Sequence, residues 1–208
     1  LADRLAVVLW KNPVVLAIPR GGVEVGGRIA DRLAAPLDVI LPRKIGAPMD
    51  PELAIGAVTE EGEAILDSRI SQRYGVSAQY IQETTHREQA EIVRRTNLYR
   101  EGRAPLSVDG RDVIVVDDGI ATGATMKAAI ISLRRKSPAR LIVAVPVSSL
   151  EAMEMLTALV DLFITLEAPR YFLAVGQFYE DFGQTSDETV RLILEQANQQ
   201  PGKKGCSC

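Results

Sequence analysis

Apolar residues in this 208-residue chain fall into two patterns, short unbroken runs and longer stretches at helical spacing. The runs at 14–18 (VVLAI), 38–41, 113–116 (VIVV), 140–147 (RLIVAVPV) and 162–166 have the length and near-continuous apolarity of strands buried on both faces. Stretches at 23–35, 125–135, 150–159 and 187–199 carry apolar positions at helical spacing, as do residues 2–10, which Asn12-Pro13 terminates. Ser186 or Asp187 is placed to cap the last of these helices. Alternation of buried strands with helices predicts an α/β fold, a Rossmann-like parallel sheet flanked by helices on both faces.

The alternation is interrupted between the second and third runs. Residues 46–51 (GAPMDP) read as a Gly/Pro-rich loop, and 54–58 and 63–66 flank Glu60-Glu61-Gly62 as a hairpin. A long helix follows at 77–100, with Ser77 as N-cap and Glu83/Arg87 and Glu91/Arg95 at i,i+4 spacing. Its apolar stripe, Ile81, Ile92 and Tyr99, is thin. A solvated helix with one weakly buried edge is the favoured reading, ahead of packing on a second copy in a homodimer or lying across a site. His86, the only histidine, sits there among charges and reads as exposed. The predicted organisation is one domain over 1–200 with an insertion at about 46–110, and a flexible tail at 201–208.

Composition adds few constraints: 47% of residues are apolar, 25% are charged, and the net charge is −3. No global field would recruit nucleic acid, and no run is long enough to span a membrane. No secretory signal is visible, although the chain begins with Leu1 rather than Met. The only cysteines are Cys206 and Cys208, so no disulfide framework is expected, and a reducing, cytoplasmic setting fits. A single CxC pair without further ligands is weak as a metal site, and it lacks the cysteine four from the end that prenylation needs.

The chemistry concentrates at 113–125, VIVVDDGIATGAT. A buried strand delivers two acids, Asp117 and Asp118, to a small-residue turn that opens a helix. The unpaired amides of such a turn and the positive end of the helix dipole can hold a phosphate, with Thr122 and Thr125 as added donors. Paired carboxylates can accept from sugar hydroxyls or hold Mg2+ through water. Pro19-Arg20-Gly21-Gly22 ends the first strand, with glycines that permit close backbone approach and an arginine suited to phosphate oxygens. Arg43 and Lys44 stand at the end of the second strand, where α/β sheets bind polyanions.

Four apolar residues, two acids, a short spacer and a Thr-Gly-x-Thr turn resemble the phosphoribosyl-diphosphate (PRPP) signature of type I phosphoribosyltransferases. Pro19-Arg20-Gly21-Gly22 looks like that family's pyrophosphate loop, and Arg43-Lys44 like the basic pair of its adenine-type members. The order and spacing of these segments agree with the family over roughly 14–147. The AVGQFYEDF stretch at 174–182 loosely resembles its carboxy-terminal hood, which would cover about 168–185. The whole chain is similar to bacterial stand-alone phosphoribosyltransferase-domain proteins of unassigned substrate.

The resemblance implies transfer of a phosphoribosyl group from PRPP to a nitrogenous acceptor, with release of pyrophosphate and with Mg2+ as cofactor. It places the 5′-phosphate on Ala121, Thr122, Gly123, Ala124 and Thr125. It sets Asp117 and Asp118 on the ribose hydroxyls and, with Asp118 foremost, on the metal. Arg20, Gly21 and Gly22 would contact pyrophosphate, with an often-cis peptide expected at Arg20–Gly21. Arg43 and Lys44 would neutralise the leaving group. Phe172 is the candidate to stack on the acceptor, against burial on the last strand as an equal alternative. Ala121 stands where 6-oxopurine enzymes carry an Asp, which counts against hypoxanthine or guanine as acceptor. A closing loop is expected between residues 44 and 113, with Arg69, Arg73 and Arg87 as candidates to reach in. A non-catalytic PRPP or nucleotide sensor on the same fold is the second reading. It is weakened by the absence of a winged-helix segment and by glutamates interleaved with Arg87, Arg94, Arg95, Arg100 and Arg103.

Overall fold

The computed structural model describes residues 1–199, without the side chains of 51, 52 and 68. Residues 200–208, and with them the Cys206/Cys208 pair and the predicted flexible tail, lie outside the described residues. A five-stranded parallel sheet forms the centre. It comprises β1 (Val14–Ala17), β2 (Leu37–Val39), β6 (Asp112–Val116), β7 (Arg140–Val147) and β8 (Leu162–Glu167), in the order β2-β1-β6-β7-β8.

The unbroken apolar runs follow from burial on both faces. In β1, Val15 and Ala17 enter one core while Val14 and Leu16 enter the other; in β6, Ile114 and Val116 oppose Val113 and Val115. One face is covered by α1 (Ala2–Ala6), α2 (Gly21–Leu33), α4 (Ala78–Arg100) and α7 (Asp187–Gln199). The other is covered by α5 (Ala124–Arg134) and α6 (Leu150–Thr157). Ser77 caps α4 by accepting from Tyr80 N–H at 3.1 Å, and Ser186 caps α7 by accepting from Thr189 N–H at 3.0 Å.

A second, antiparallel sheet lies between β2 and β6 in sequence, with order β3-β4-β5: β3 (Arg43–Ala47), β4 (Asp50–Val58) and β5 (Ala64–Leu66). A short helix, α3 (Ser68–Arg73), follows it. The β4–β5 hairpin is the one read from sequence, but β3 occupies part of the stretch read as a loop. Its period-two burial is short, since Ile45 and Ala47 face inward while Arg43, Lys44 and Gly46 stay half open. The hairpin is tied to α5 by Ser132, whose hydroxyl donates to Glu61 at 2.7 Å, and by Lys136 and Arg135, which pair with Glu61 and Glu63.

α1 is shorter than its periodicity predicts. It ends at Ala6, leaving Val7 and Leu9 84% and 92% exposed. Trp10 instead donates from its indole to Leu5 O at 2.9 Å and lies beneath the Arg140 guanidinium. Apolar spacing over so few residues cannot distinguish a helix that buries its face from a strand-like exit that does not.

Candidate active site

β6 is fully buried, and its carboxyl end delivers Asp117 and Asp118 to the rim of the sheet. The Asp118 N–H donates to Asp117 Oδ1 at 2.9 Å. Burial, and then the neighbouring Asp118 charge, push the Asp117 carboxyl well above the usual carboxylate range; burial raises Asp118 as well. Two carboxylates so placed favour any partner that brings positive charge or hydroxyl protons.

The turn after them is rigidly held. Ile120 N–H donates to Val147 O and Ser149 N–H donates to Ile120 O, both at 2.9 Å, so the turn extends the β7 edge. Ser149 Oγ donates to Ala121 O at 2.6 Å. Gly123 then adopts a left-handed φ of 76° as N-cap of α5, and it brings no side chain to cap this end. The first-turn amides of α5 therefore have no intrahelical acceptor and remain available to an anion.

The first strand's loop meets the acid pair at van der Waals range. The Pro19–Arg20 peptide is cis, one residue earlier than the Arg20–Gly21 bond expected. Gly21 is required for a different reason: it opens α2 against Asp118, where a β-carbon would stand 2.0 Å from Oδ2. Arg20 Nη1 lies 3.9 Å from Asp187 Oδ1 at the start of α7, and the Tyr99 hydroxyl donates to that same oxygen at 2.5 Å. Burial and then this hydrogen bond push Tyr99 up to about 12, so it stays a donor.

Arg20, Arg43, Lys44, Asp117, Asp118 and Thr125 line a single cleft of about 610 Å3. Its far wall is α4, which keeps the single weakly buried edge read from sequence, with Ile92 and Tyr99 in it, and also lies across the cleft. Tyr80, the adjacent Arg87 and Glu88, and Arg95 recur every seven or eight residues, about two helical turns, so all four face the cleft. Glu88 holds Arg43 at 2.9 Å and Arg87 at 3.4 Å, Glu91 holds Arg95 at 2.7 Å, and the Tyr80 hydroxyl donates to Gly46 O at 3.0 Å. Arg87 therefore pairs with Glu88, and Glu83 accepts from Gln79 instead of pairing with Arg87. Of the three candidate reaching arginines only Arg87 lines the cleft; Arg69 and Arg73 are not among its walls.

On the other side of the turn, Ala121, Thr122 and Ala124 line a second cleft of about 550 Å3, together with Phe172. Phe172 is half-buried and stacks on Phe178, with ring centroids 5.5 Å apart; it is not sealed against the last strand. Tyr179 donates to Asp118 O at 2.6 Å, and burial with the nearby Asp118 and Asp117 pushes its hydroxyl up to about 12. Val175 sits over Gly119, where a β-carbon would come within 2.6 Å of Cγ1. The aromatic segment is thus clipped over the acid pair.

The family model of the phosphoribosyl transferase domain matches residues 4–164. The chain belongs to that family. Similar proteins include two from Mycobacterium tuberculosis, strains H37Rv and CDC 1551, each bearing the name "Putative phosphoribosyl transferase" and each 38% identical over 205 residues. The match covers 99% of this chain and 46% of each of theirs, so the chain spans about half the length of these curated relatives. Among solved structures, TT1426 from Thermus thermophilus is similar at 44% identity with a TM-score of 0.80, covering 94% of this chain and 92% of that one. The parallel sheet with its flanking helices is the fold that this comparison supports.

Against this phosphoribosyl transferase frame, sequence reasoning missed Tyr80, Glu88, Tyr179 and Asp187 as neighbours of the site. The helical spacing of 80, 87, 88 and 95 was a signal for the first two. No local signal could place Tyr179 or Asp187, because both reach the site through long-range packing of the carboxy-terminal segment.

Proposed function

We propose that this chain is a phosphoribosyltransferase that moves the 5-phosphoribosyl group from PRPP to a nitrogenous acceptor and releases pyrophosphate. The observation that carries the reading is the shared cleft in which Asp117 and Asp118 face Arg20, Arg43 and Lys44, with Thr125 of the turn on the same wall. A ligand with a diol, a phosphate and a diphosphate matches those three groups at once. The 5′-phosphate rests on the amides of residues 121–125 and the Thr122 and Thr125 hydroxyls. Asp117 and Asp118 accept from the ribose hydroxyls.

In the reaction the acceptor nitrogen supplies an electron pair to the anomeric carbon as the bond to pyrophosphate breaks. Positive charge develops on the ribose and negative charge on the leaving oxygens. Arg20, Arg43 and Lys44 stabilise the latter, and fixed charges in a site that needs no reorganisation are an efficient source of rate. The hydroxyl contacts fix the sugar in the geometry for attack, which removes much of the entropic barrier.

The site also fits Mg2+. The raised proton affinity of two adjoining carboxylates marks a place where a divalent cation is favourable, and Asp118 with Asp117 would hold it. No cluster of three or more metal-ligating side chains occurs among the described residues, so the remaining ligands would be water and the substrate's own oxygens. When bound, the ion supplies charge neutralisation of the diphosphate.

Pyrophosphate release from PRPP and Mg2+, measured across a panel of nitrogenous acceptors, tests the proposal. Acceptor-dependent release is expected. Tight PRPP binding with no release for any acceptor would replace the transferase by a PRPP sensor on the same fold.

A further inference from the structure

A cleft that takes a diphosphate gains from cations and loses from every carboxylate the ligand does not need. In the proposed complex Asp117 and Asp118 accept from the ribose hydroxyls. Glu88 has no such use, yet it lines the same cleft from α4, with a side chain only 13% exposed. Both of its oxygens are engaged by arginines. Oε2 accepts from Arg43 Nε of β3 at 2.9 Å, and Oε1 accepts from Arg87 Nε at 3.4 Å.

These contacts use one particular nitrogen. A guanidinium carries one N–H on Nε and four on its two Nη atoms, and the Nη pair forms an edge that fits two phosphate oxygens. Arg43, Arg87 and Arg95 each give Nε to a glutamate of α4, with Arg95 donating to Glu91 Oε1 at 2.7 Å. None of the three donates from Nη to another described residue. Arg94, which is not among the walls of the cleft, is bound differently: it gives both Nε and Nη2 to Glu91, at 2.7 and 2.9 Å. The cleft arginines are thus held at Nε, which leaves their terminal edges for a ligand. A long side chain restrained in this way loses less freedom when the ligand arrives.

We propose that Glu88 is a positioning residue of the donor site: it fixes Arg43, and with it Arg87, so that their Nη edges meet the diphosphate. This inference rests on the phosphoribosyltransferase reading. The expected effect of removing Glu88 is opposite in sign to that of charge alone. Loss of a carboxylate from a polyanion cleft tightens binding by Coulomb's law. Loss of the group that orients Arg43 weakens it.

Calorimetry on the full chain with PRPP, inorganic pyrophosphate and ribose 5-phosphate, each with Mg2+, tests the assignment. Glu88→Ala is expected to bind PRPP and pyrophosphate about tenfold more weakly than the parent. Ribose 5-phosphate has the phosphate and the diol but no diphosphate, and its affinity should move less than about twofold. Glu88→Gln keeps an acceptor for Nε and should recover most of the loss. In an Arg43→Ala background, Glu88→Ala should weaken PRPP no further. PRPP binding by Glu88→Ala as tight as that of the parent, or tighter, would overturn the proposal, and so would Glu88→Gln as weak as Glu88→Ala. Equal weakening of ribose 5-phosphate would also overturn it, since Glu88 would then support the cleft as a whole. An additive loss in the Arg43→Ala background would do the same, because Glu88 would not act through Arg43. If the parent binds pyrophosphate but not PRPP, and Glu88→Ala weakens the pyrophosphate, the transferase reading falls and the role of Glu88 stands.

Discussion

Gly21 and Asp118 approach so closely that no β-carbon fits between them: one built on Gly21 would lie 2.0 Å from Asp118 Oδ2 and 2.8 Å from Cγ. The loop at 19–22 and the acid pair are therefore a single packed unit. What has to yield to a larger residue is the carboxylate that the proposed reaction uses.

Gly21→Ala is accordingly expected to fold and to bind PRPP poorly. Turning Asp118 away removes one charge-assisted hydrogen bond, about 1.5–3 kcal/mol or roughly tenfold to a hundredfold in affinity. Calorimetry with PRPP and Mg2+, alongside a thermal melt, separates the two effects. PRPP affinity equal to that of the parent would show that Asp118 is not a ligand.

Replacing both acids, Asp117→Asn with Asp118→Asn, should abolish measurable PRPP binding while leaving the fold intact. The pair costs stability in the free protein, since burial raises both carboxyls and the Asp118 charge raises Asp117 further. The doubly amidated variant should therefore melt no lower than the parent. Unchanged PRPP affinity would remove the pair from the ribose.

Arg100 is a structural arginine. Its guanidinium is buried, donating to Asp38 Oδ1 at 3.1 Å and Val39 O at 2.8 Å and pairing with Glu60, so it joins α4 to β2 and to the β4–β5 hairpin. Arg100→Ala leaves two carboxylates uncompensated and should cost about 3–5 kcal/mol in urea unfolding. Arg94→Ala, on the exposed face of α4, should leave the unfolding midpoint nearly unchanged. Comparable losses for the two would mean that the buried network contributes nothing particular.

Glu61 makes the hairpin's attachment pH-dependent. Burial alone would raise its carboxyl, but hydrogen bonds from Lys136 and Ser132 outweigh that and hold it down to about 2, from an ordinary 4.5. A carboxyl lowered in the folded state stabilises fully above its unfolded value and loses that contribution as pH falls toward the folded one. Stability should therefore decline between about pH 4.5 and 2, and Glu61→Gln should flatten that decline. Acid titration of the melting temperature measures it, and identical profiles for parent and variant would show that the contact does not link folding to pH.

Much of this protein can be read from its sequence because the signals are local. A strand buried on both faces must be apolar throughout, so the five runs reveal the parallel sheet. A turn that presents free amides must use small residues, so 119–125 and the acid pair stand out. The structure moved the cis peptide to Pro19–Arg20, shortened the first helix and turned part of a predicted loop into β3. Each of those depends on what packs alongside.

Tertiary structure alone decided which groups share a cleft. α4 reads as a weakly amphipathic, charged helix, and its polar face turns out to be the wall opposite Asp117, with Glu88 on Arg43. Asp187 and Tyr179 lie far along the chain from the residues they touch, Tyr99 and Asp118. Local chemistry is written in sequence spacing, whereas the pairing of charges across a cleft depends on how separate elements pack, and no spacing records that.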